Sequence, residues 1–199
     1  TSRALIKLAD DEEVDLILLA SHRKGFLKRT LLGSTTFEMA HAVEVPLLIN
    51  KDDEEEENVN LLETVLVPTD FSRKSLEALN IIRTLREFVG KVLFVHVIEH
   101  SRNKHDYKEK YGSAMLFLKE LVDEMKIFGI EADYRISHGV ASKKISAICD
   151  RDDVSMIMMT KTGADMTNGD ELGSTSEHLV LNSDCAIMLL PAEDPDDEE

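Results

Sequence analysis

The chain has 199 residues, of which 43% are hydrophobic and 31% are charged, so it can bury a sizeable core under a solvated surface. Its formal net charge of −16 argues against a nucleic-acid partner and against docking on an anionic membrane, because both need a basic surface. No apolar run approaches the roughly 18–20 residues that span a bilayer, so no membrane insertion is expected.

The first fifty residues recur later in the chain. Shifting the sequence by 140 positions aligns residues 1–50 with 141–190 without a gap, and Leu32-Gly33-Ser34-Thr35 falls on Leu172-Gly173-Ser174-Thr175. An internal repeat of this kind has to be interpreted before a fold is proposed. We predict that residues 1–50 form the C-terminal half of a first domain whose N-terminal half is absent.

Acidic runs separate the parts of this repeat. "KDDEEEEN" occupies residues 51–58, and "PAEDPDDEE" closes the chain at 191–199. Such runs are typical of solvated spacers rather than of a core. We therefore predict an acidic linker at 51–60, a complete second domain at 61–191 and an acidic tail at 192–199.

The complete second domain alternates apolar strands with amphipathic helices. We predict strands at 63–70, 91–99, 130–137, 154–160 and 186–190, and helices from Ser72 to Gly90, at 113–128, at 141–151 and at 174–182. This order predicts an α/β fold with a doubly wound, mostly parallel five-stranded sheet.

A ligand site is expected where the winding of this sheet reverses. If the strand order is 3-2-1-4-5, the crevice lies beyond the carboxyl ends of the first and fourth strands. Those ends are Pro68-Thr69-Asp70 and the loop 160–173. The sequence therefore brings the turn at Asp70 and "LGSTSE" at 172–177 to one place.

"LGSTSE" admits two interpretations. Ser174-x-x-Glu177 fits a capping box, in which the serine oxygen accepts from the Glu177 amide and the glutamate reaches back. A helix N-terminus also binds anions through its unpaired amides and its macrodipole. The two roles are compatible, and Asp70 can likewise cap the turn or helix that follows it.

These motifs resemble the universal stress protein family. "LVPTDFS" at 66–72 is similar to that family's first strand and Asp turn, and Thr160-x2-Gly163-x9-Gly173-Ser174 is similar to its Gly-x-x-Gly-x9-Gly-Ser/Thr loop. "ASHRKGFLKRTLLGST" at 20–35 matches the loop in length and character. The resemblance covers nearly the whole chain and implies a Rossmann-like tandem member of the UspA type.

The resemblance also implies a ligand. In nucleotide-binding members the Asp turn contacts the ribose, the end of the second strand contacts the base, and the glycine loop holds the phosphates. ATP, ADP or AMP is therefore the expected ligand, with Mg²⁺ only beside ATP. The residues that the resemblance nominates are Pro68, Thr69, Asp70, Val97, Thr160, Gly163, Gly173, Ser174 and Thr175, with Arg23, Gly33, Ser34 and Thr35 as counterparts in the first copy.

The sequence departs from the family loop in two ways. The first glycine is Thr160 here, and a side chain there occupies space near the phosphates. Residues 161–172 set Lys161 against Asp165, Asp170 and Glu171, an unfavourable field for a polyphosphate, whereas 21–32 hold four basic residues and no acid.

Tandem members of the family pair their domains through the last strands, here 46–50 and 186–190, and we expect this pairing within one chain or in a homodimer. Two cysteines without a Cys-x-x-Cys spacing indicate buried free thiols in a reducing compartment, hence a cytoplasmic protein. The histidines His96, His100 and His105 lack a metal-ligand spacing, so no metal site is predicted.

The leading hypothesis is a nucleotide-binding sensor or regulatory module of a stress response that is not an enzyme. Slow nucleotide hydrolysis is a rival, although no residue is placed to activate water. A second rival is a nucleotide-free adaptor, such as the cytoplasmic part of a transporter, that acts on a protein partner not identified by the sequence.

Overall fold

The computed structural model describes residues 2–20, 33–51, 60–163 and 172–191, whose strands form one seven-stranded sheet in the order β1-β2-β7-β6-β3-β4-β5. Neighbouring strands are parallel except β2 and β7, which are antiparallel. The five strands β3 to β7 therefore have the 3-2-1-4-5 order that the sequence interpretation assumed. The strands are β1 (Ile17–Ala20), β2 (Leu47–Asn50), β3 (Thr64–Pro68), β4 (Lys91–Ile98), β5 (Glu131–His138), β6 (Met156–Thr160) and β7 (Ala186–Leu190). The helices are α1 (Ser2–Asp11), α2 (Ser34–Ala42), α3 (Ala78–Thr84), α4 (Lys104–Ile127), α5 (Ala141–Arg151) and α6 (Ser174–Asn182).

The sheet divides the core into two layers. Successive side chains of a strand point to opposite faces, so Leu66 of β3 packs in one apolar cluster while Val65 and Val67 pack in the other. Every residue of β6 and β7 is buried, which is typical of strands covered on both faces. The continuous apolar runs of the sequence therefore form the centre of the sheet.

The sequence repeat is matched by a repeat of elements. Helix α2 lies 140 positions before helix α6, and both follow a glycine in extended backbone, with φ −60° and ψ 146° at Gly33 and φ −63° and ψ 149° at Gly173. Strands β2 and β7, which end the two copies, pair with Leu48 opposite Met188. The predicted pairing of the last strands thus occurs within this chain. Half a domain followed by a complete one stays a prediction, and the acidic runs at 52–59 and 192–199 lie outside the described residues.

Two buried lysines connect the copies. Lys51, the first residue of the predicted linker, is 0% exposed, and its Nζ donates to the carbonyls of Leu179, Val180 and Ser183 at 3.3, 2.7 and 2.9 Å. Those carbonyls lie at the C-terminal end of α6, where the last backbone acceptors lack helical partners, although the Leu179 carbonyl also accepts from the Ser183 amide. The positive charge also suits the negative end of the helix dipole.

Lys161 makes the corresponding contact in the other direction. This residue follows β6 and is 4% exposed, and its Nζ donates to the carbonyls of His41 at 2.7 Å and Val43 at 3.0 Å. Both carbonyls lie at the C-terminal end of α2. Each copy therefore supplies an ammonium group to a helix end of the other.

Two predicted helices have different bounds in the structure. Helix α4 begins at Lys104 rather than at 113, because the Asn103 side chain accepts from the amides of His105 and Asp106 and caps the polar stretch. The helix predicted from Ser72 to Gly90 is a short 3₁₀ turn followed by α3, which ends at Thr84. None of the described helices has both the length and the apolar character needed to cross a bilayer.

Two glycine-to-alanine substitutions should have opposite effects on stability. A Cβ at Gly90 would lie 2.6 Å from the backbone oxygen of Glu63, so Gly90→Ala is expected to destabilise the protein by about 1–3 kcal/mol. Gly112 lies inside α4, where an added Cβ would meet no neighbouring atom within 4 Å, so Gly112→Ala should stabilise the protein by about 0.5–1 kcal/mol. Urea denaturation measures both, and equal effects would contradict this difference in packing.

Removing the Lys51 ammonium should weaken the whole fold. Lys51→Met leaves buried carbonyls without their donor, so the free energy of unfolding is expected to fall by at least about 1–3 kcal/mol. Lys126→Met is the control, since that lysine forms an exposed pair with Asp123 and should change the value by less than about 1 kcal/mol. Similar losses in both variants would show that Lys51 does not join the copies.

Candidate functional site

A cavity of about 390 Å³ opens at the carboxyl ends of β3, β4 and β6, beside the first turn of α6. This is the place where the winding of the sheet reverses, and its volume lies within the usual range for small-molecule sites. All nine residues predicted for the complete domain line it, namely Pro68, Thr69, Asp70, Val97, Thr160, Gly163, Gly173, Ser174 and Thr175. Their part in binding stays a prediction.

The turn after β3 is held by its own side chains. The Thr69 hydroxyl accepts from the Phe71 amide at 2.9 Å and lies 2.9 Å from the Ser75 hydroxyl. Asp70 Oδ1 accepts from the amide of Ser72 at 2.9 Å and from its hydroxyl at 2.5 Å. The turn-capping role considered for Asp70 is confirmed, and the same side chain also lines the cavity.

Asp70 and the loop after β6 approach each other closely at Gly163. A Cβ at Gly163 would lie 2.9 Å from Asp70 Oδ2, which is closer than side chains tolerate. A side chain at position 163 would therefore displace the Asp70 carboxylate, and glycine leaves room for it. The two motifs predicted to converge are in contact.

The first turn of α6 has no side-chain cap. Gly173 occupies the N-cap position, and its carbonyl accepts from the Glu177 amide at 2.8 Å. The capping-box interpretation of Ser174 is wrong, because Ser174 is already the first helical residue and its hydroxyl lies one position too late to cap. The turn at 174–176 lines the cavity, where its amides and the helix dipole favour an anion.

Thr160 does not fill the cavity. This residue is 5% exposed, its hydroxyl donates to the Thr162 carbonyl at 2.8 Å, and its carbonyl accepts from the Ser176 hydroxyl at 3.1 Å. The threonine side chain therefore holds the start of the loop, while the bond to α6 uses the main-chain carbonyl that a glycine would also supply. A cavity of ligand size remains beside it.

The charge at the cavity differs from the expectation. Lys161 Nζ binds the C-terminal end of α2, and Lys161 is not among the described residues that line the cavity. Asp70 and Glu99 are the carboxylates among the described lining residues, which include no lysine or arginine. Glu99 Oε1 accepts from the Ala141 amide at 2.8 Å, so the Glu99 carboxylate binds the first residue of α5. The acids at 165, 170 and 171 lie outside the described residues.

The sequence interpretation missed several lining residues. His96 Nδ1 lies 2.8 Å from the Thr69 carbonyl, and its ring stacks on Phe71 with centroids 4.4 Å apart. Ser75, Thr162 and Ser176 also line the cavity. Thr162 lies inside the loop motif and could have been nominated from it, whereas Ser75 carries no sequence signal. In the part of the chain that the structure describes, no three His, Cys, Asp or Glu side chains are grouped to hold a metal ion.

Comparison with known proteins assigns the family. The pattern that defines the universal stress protein family matches residues 1–51 and 62–191. The chain belongs to the universal stress protein family. A family member from Methanocaldococcus jannaschii is 24% identical over an alignment of 144 residues that covers 66% of this chain and 83% of that protein. A second member from that organism is 43% identical over 47 residues, 24% of this chain and 29% of the relative.

Solved structures of the universal stress protein family share this architecture. A universal stress protein from Archaeoglobus fulgidus superposes with a TM-score of 0.75 at 25% identity. The superposition covers 96% of this chain and 67% of the Archaeoglobus chain. A universal stress protein in complex with cAMP superposes with a TM-score of 0.52 at 18% identity. The superposition covers 66% of this chain and 98% of the chain in that complex. The second comparison supports the fold alone.

The Gly-Ser-Thr segment of the first copy has different surroundings from the segment at 173–175 in the complete copy. Gly33, Ser34 and Thr35 lie at the start of α2, with Gly33 and Ser34 exposed, while Arg23 lies outside the described residues. Strand β1 is the edge of the sheet over the described residues, so the neighbours that β3 and β4 supply to the complete copy have no counterpart there. Over the described residues, Gly33, Ser34 and Thr35 therefore lack the neighbours that β3 and β4 supply in the complete copy.

Two threonines of the loop should differ in their effect on stability. Thr162 Oγ1 is buried without a hydrogen-bond partner in the described structure, so Thr162→Val should leave the free energy of unfolding within about 0.5 kcal/mol or raise it. Thr160→Val removes the bond to the Thr162 carbonyl and should lower it by about 0.5–1.5 kcal/mol. Chemical denaturation distinguishes them, and an equal loss in Thr162→Val would mean that its hydroxyl has a partner.

Proposed function

We propose that this universal stress protein binds an adenine nucleotide in the cavity and acts as a sensor or regulatory module of a stress response, with no chemical step of its own. The observation that carries the proposal is the meeting of the Asp70 turn, the Gly163 loop and the uncapped start of α6 around one cavity of about 390 Å³. A family member of the same fold has been solved in complex with cAMP, which supports a nucleotide as the ligand class.

Each wall of the cavity suits one part of a nucleotide. The amides at 174–176 would hold a phosphate, because a helix start offers unpaired donors. Asp70 would accept from ribose hydroxyls, and Val97 at the end of β4 would lie against the base. Mg²⁺ would enter only with ATP.

The described charges favour a nucleotide with few phosphates. Asp70 and Glu99 repel additional negative charge, and the dipole of α6 contributes only about 0.3–1 kcal/mol against that repulsion. We therefore expect AMP to bind at least as tightly as ATP when Mg²⁺ is absent.

The first experiment is mass spectrometry of small molecules released when freshly purified protein is denatured, followed by calorimetric titration with ATP, ADP and AMP. Asp70→Asn and Gly163→Ala should each weaken binding at least about tenfold, since the first removes an acceptor and the second displaces Asp70. Asp123→Asn and Gly112→Ala are matched controls on α4 and should bind as the unaltered protein does.

Three outcomes would contradict the proposal. Unchanged affinity in both site variants would place the nucleotide elsewhere. Absence of both released and bound nucleotide would favour the adaptor hypothesis, with a protein as the partner. Nucleotide turnover above the rate of the free compound, abolished in Asp70→Asn, would favour the hydrolase hypothesis instead.

A further inference from the structure

The backbone at Phe71 has a conformation that aromatic residues rarely adopt. Its φ is 66°, in the left-handed region where a Cβ crowds the neighbouring main chain. Glu13 and Asp153 are the other described non-glycine residues with a positive φ, and each lies two positions after the last residue of a helix, where this conformation is common. Phe71 follows strand β3, so no helix end accounts for its backbone. Backbone strain of this kind is concentrated at functional sites.

The turn that contains Phe71 places the Asp70 carboxylate. Thr69 Oγ1 accepts from the Phe71 amide, and Asp70 Oδ1 accepts from the Ser72 amide, so the turn closes across Phe71. Asp70 Oδ2 then lies so close to Gly163 that a Cβ there would come within 2.9 Å of it. The bend at Phe71 is therefore part of the geometry that brings Asp70 to the cavity.

His96 contacts both sequence neighbours of Asp70. Its Nδ1 donates to the Thr69 carbonyl at 2.8 Å, since a carbonyl oxygen only accepts. The same ring stacks on Phe71, with centroids 4.4 Å apart and planes at 27°. Phe117 of α4 adds a second ring contact to Phe71, with centroids 5.2 Å apart. His96 thus holds the residue before Asp70 by a hydrogen bond and the residue after it by aromatic stacking.

We propose that His96 and Phe71 are positioning residues that hold Asp70 where it accepts from the ribose hydroxyls of the nucleotide. This inference rests on the proposed function and adds the residues that keep its ribose site in place. The ring stack offsets the cost of the left-handed backbone at Phe71, so its loss lets the turn relax and displaces the Asp70 carboxylate. Phe71 is not among the described residues that line the cavity, so its effect on the ligand passes through Asp70.

Alanine and glycine at position 71 separate the ring from the backbone. Phe71→Ala removes the ring but keeps a Cβ in the left-handed region, whereas Phe71→Gly removes the ring and adopts a positive φ without strain. Calorimetry measures the Kd of AMP and of 2′,3′-dideoxy-AMP, which lacks the ribose hydroxyls. The unaltered protein should bind AMP about tenfold more tightly than the dideoxy compound. This preference should fall below about threefold in Phe71→Ala and stay near tenfold in Phe71→Gly, while the Kd of the dideoxy compound changes less than about twofold.

His96→Phe tests the other contact and serves if Phe71→Ala does not fold. It keeps a ring for stacking but has no donor for the Thr69 carbonyl, so the preference should fall at least about threefold. Phe88→Ala is the matched control, since that ring is 66% exposed and lies outside the cavity lining, and it should keep the preference.

Each other result contradicts a specific part of the inference. An unchanged preference in Phe71→Ala and His96→Phe would overturn it while AMP binding upholds the proposed function. An equal loss in Phe71→Ala and Phe71→Gly would also overturn it, because the ring itself would then serve the ligand. If the unaltered protein does not bind AMP, the proposed function and this inference both fail.

Discussion

The antiparallel pairing of β2 with β7 is the contact on which the rest of the structure depends. It joins the last strand of each sequence copy, with Leu47, Leu48 and Ile49 opposite Leu189, Met188 and Ile187. All six side chains are buried, and each contributes about 1.5–3 kcal/mol of hydrophobic stabilisation. Without this pairing both strands would present open hydrogen-bonding edges, which favour aggregation.

Lys161 connects the cavity to the paired strands β2 and β7. Its backbone amide donates to the Leu190 carbonyl at the end of β7, its carbonyl accepts from the Gly173 amide, and its ammonium binds the end of α2. One residue therefore connects the loop that leaves β6, the turn that starts α6 and the opposite copy. The geometry of the candidate phosphate site depends on how the two copies pack.

Patterns within a few residues of sequence predicted the sheet well. The apolar runs at β3, β4, β6 and β7 located the strands, and their alternation with helices predicted a mostly parallel sheet. The spacing of Gly163 and Gly173 gave the loop that lines the cavity. These features follow from local periodicity and from the close approach that glycine allows, so one sequence is sufficient to show them.

Contacts that depend on long-range packing were not predictable in this way. Ser174-x-x-Glu177 has the spacing of a capping box, but the packing of Gly173 against the backbone of Lys161 places the helix start one residue earlier. The direction of the Lys161 side chain also required the three-dimensional arrangement. Lys51 and Lys161 bind main-chain carbonyls, and every amino acid supplies such a carbonyl. Side chains along α2 and α6 can therefore change without loss of these lysine contacts. The two copies are thus free to diverge in sequence while they remain one folded unit.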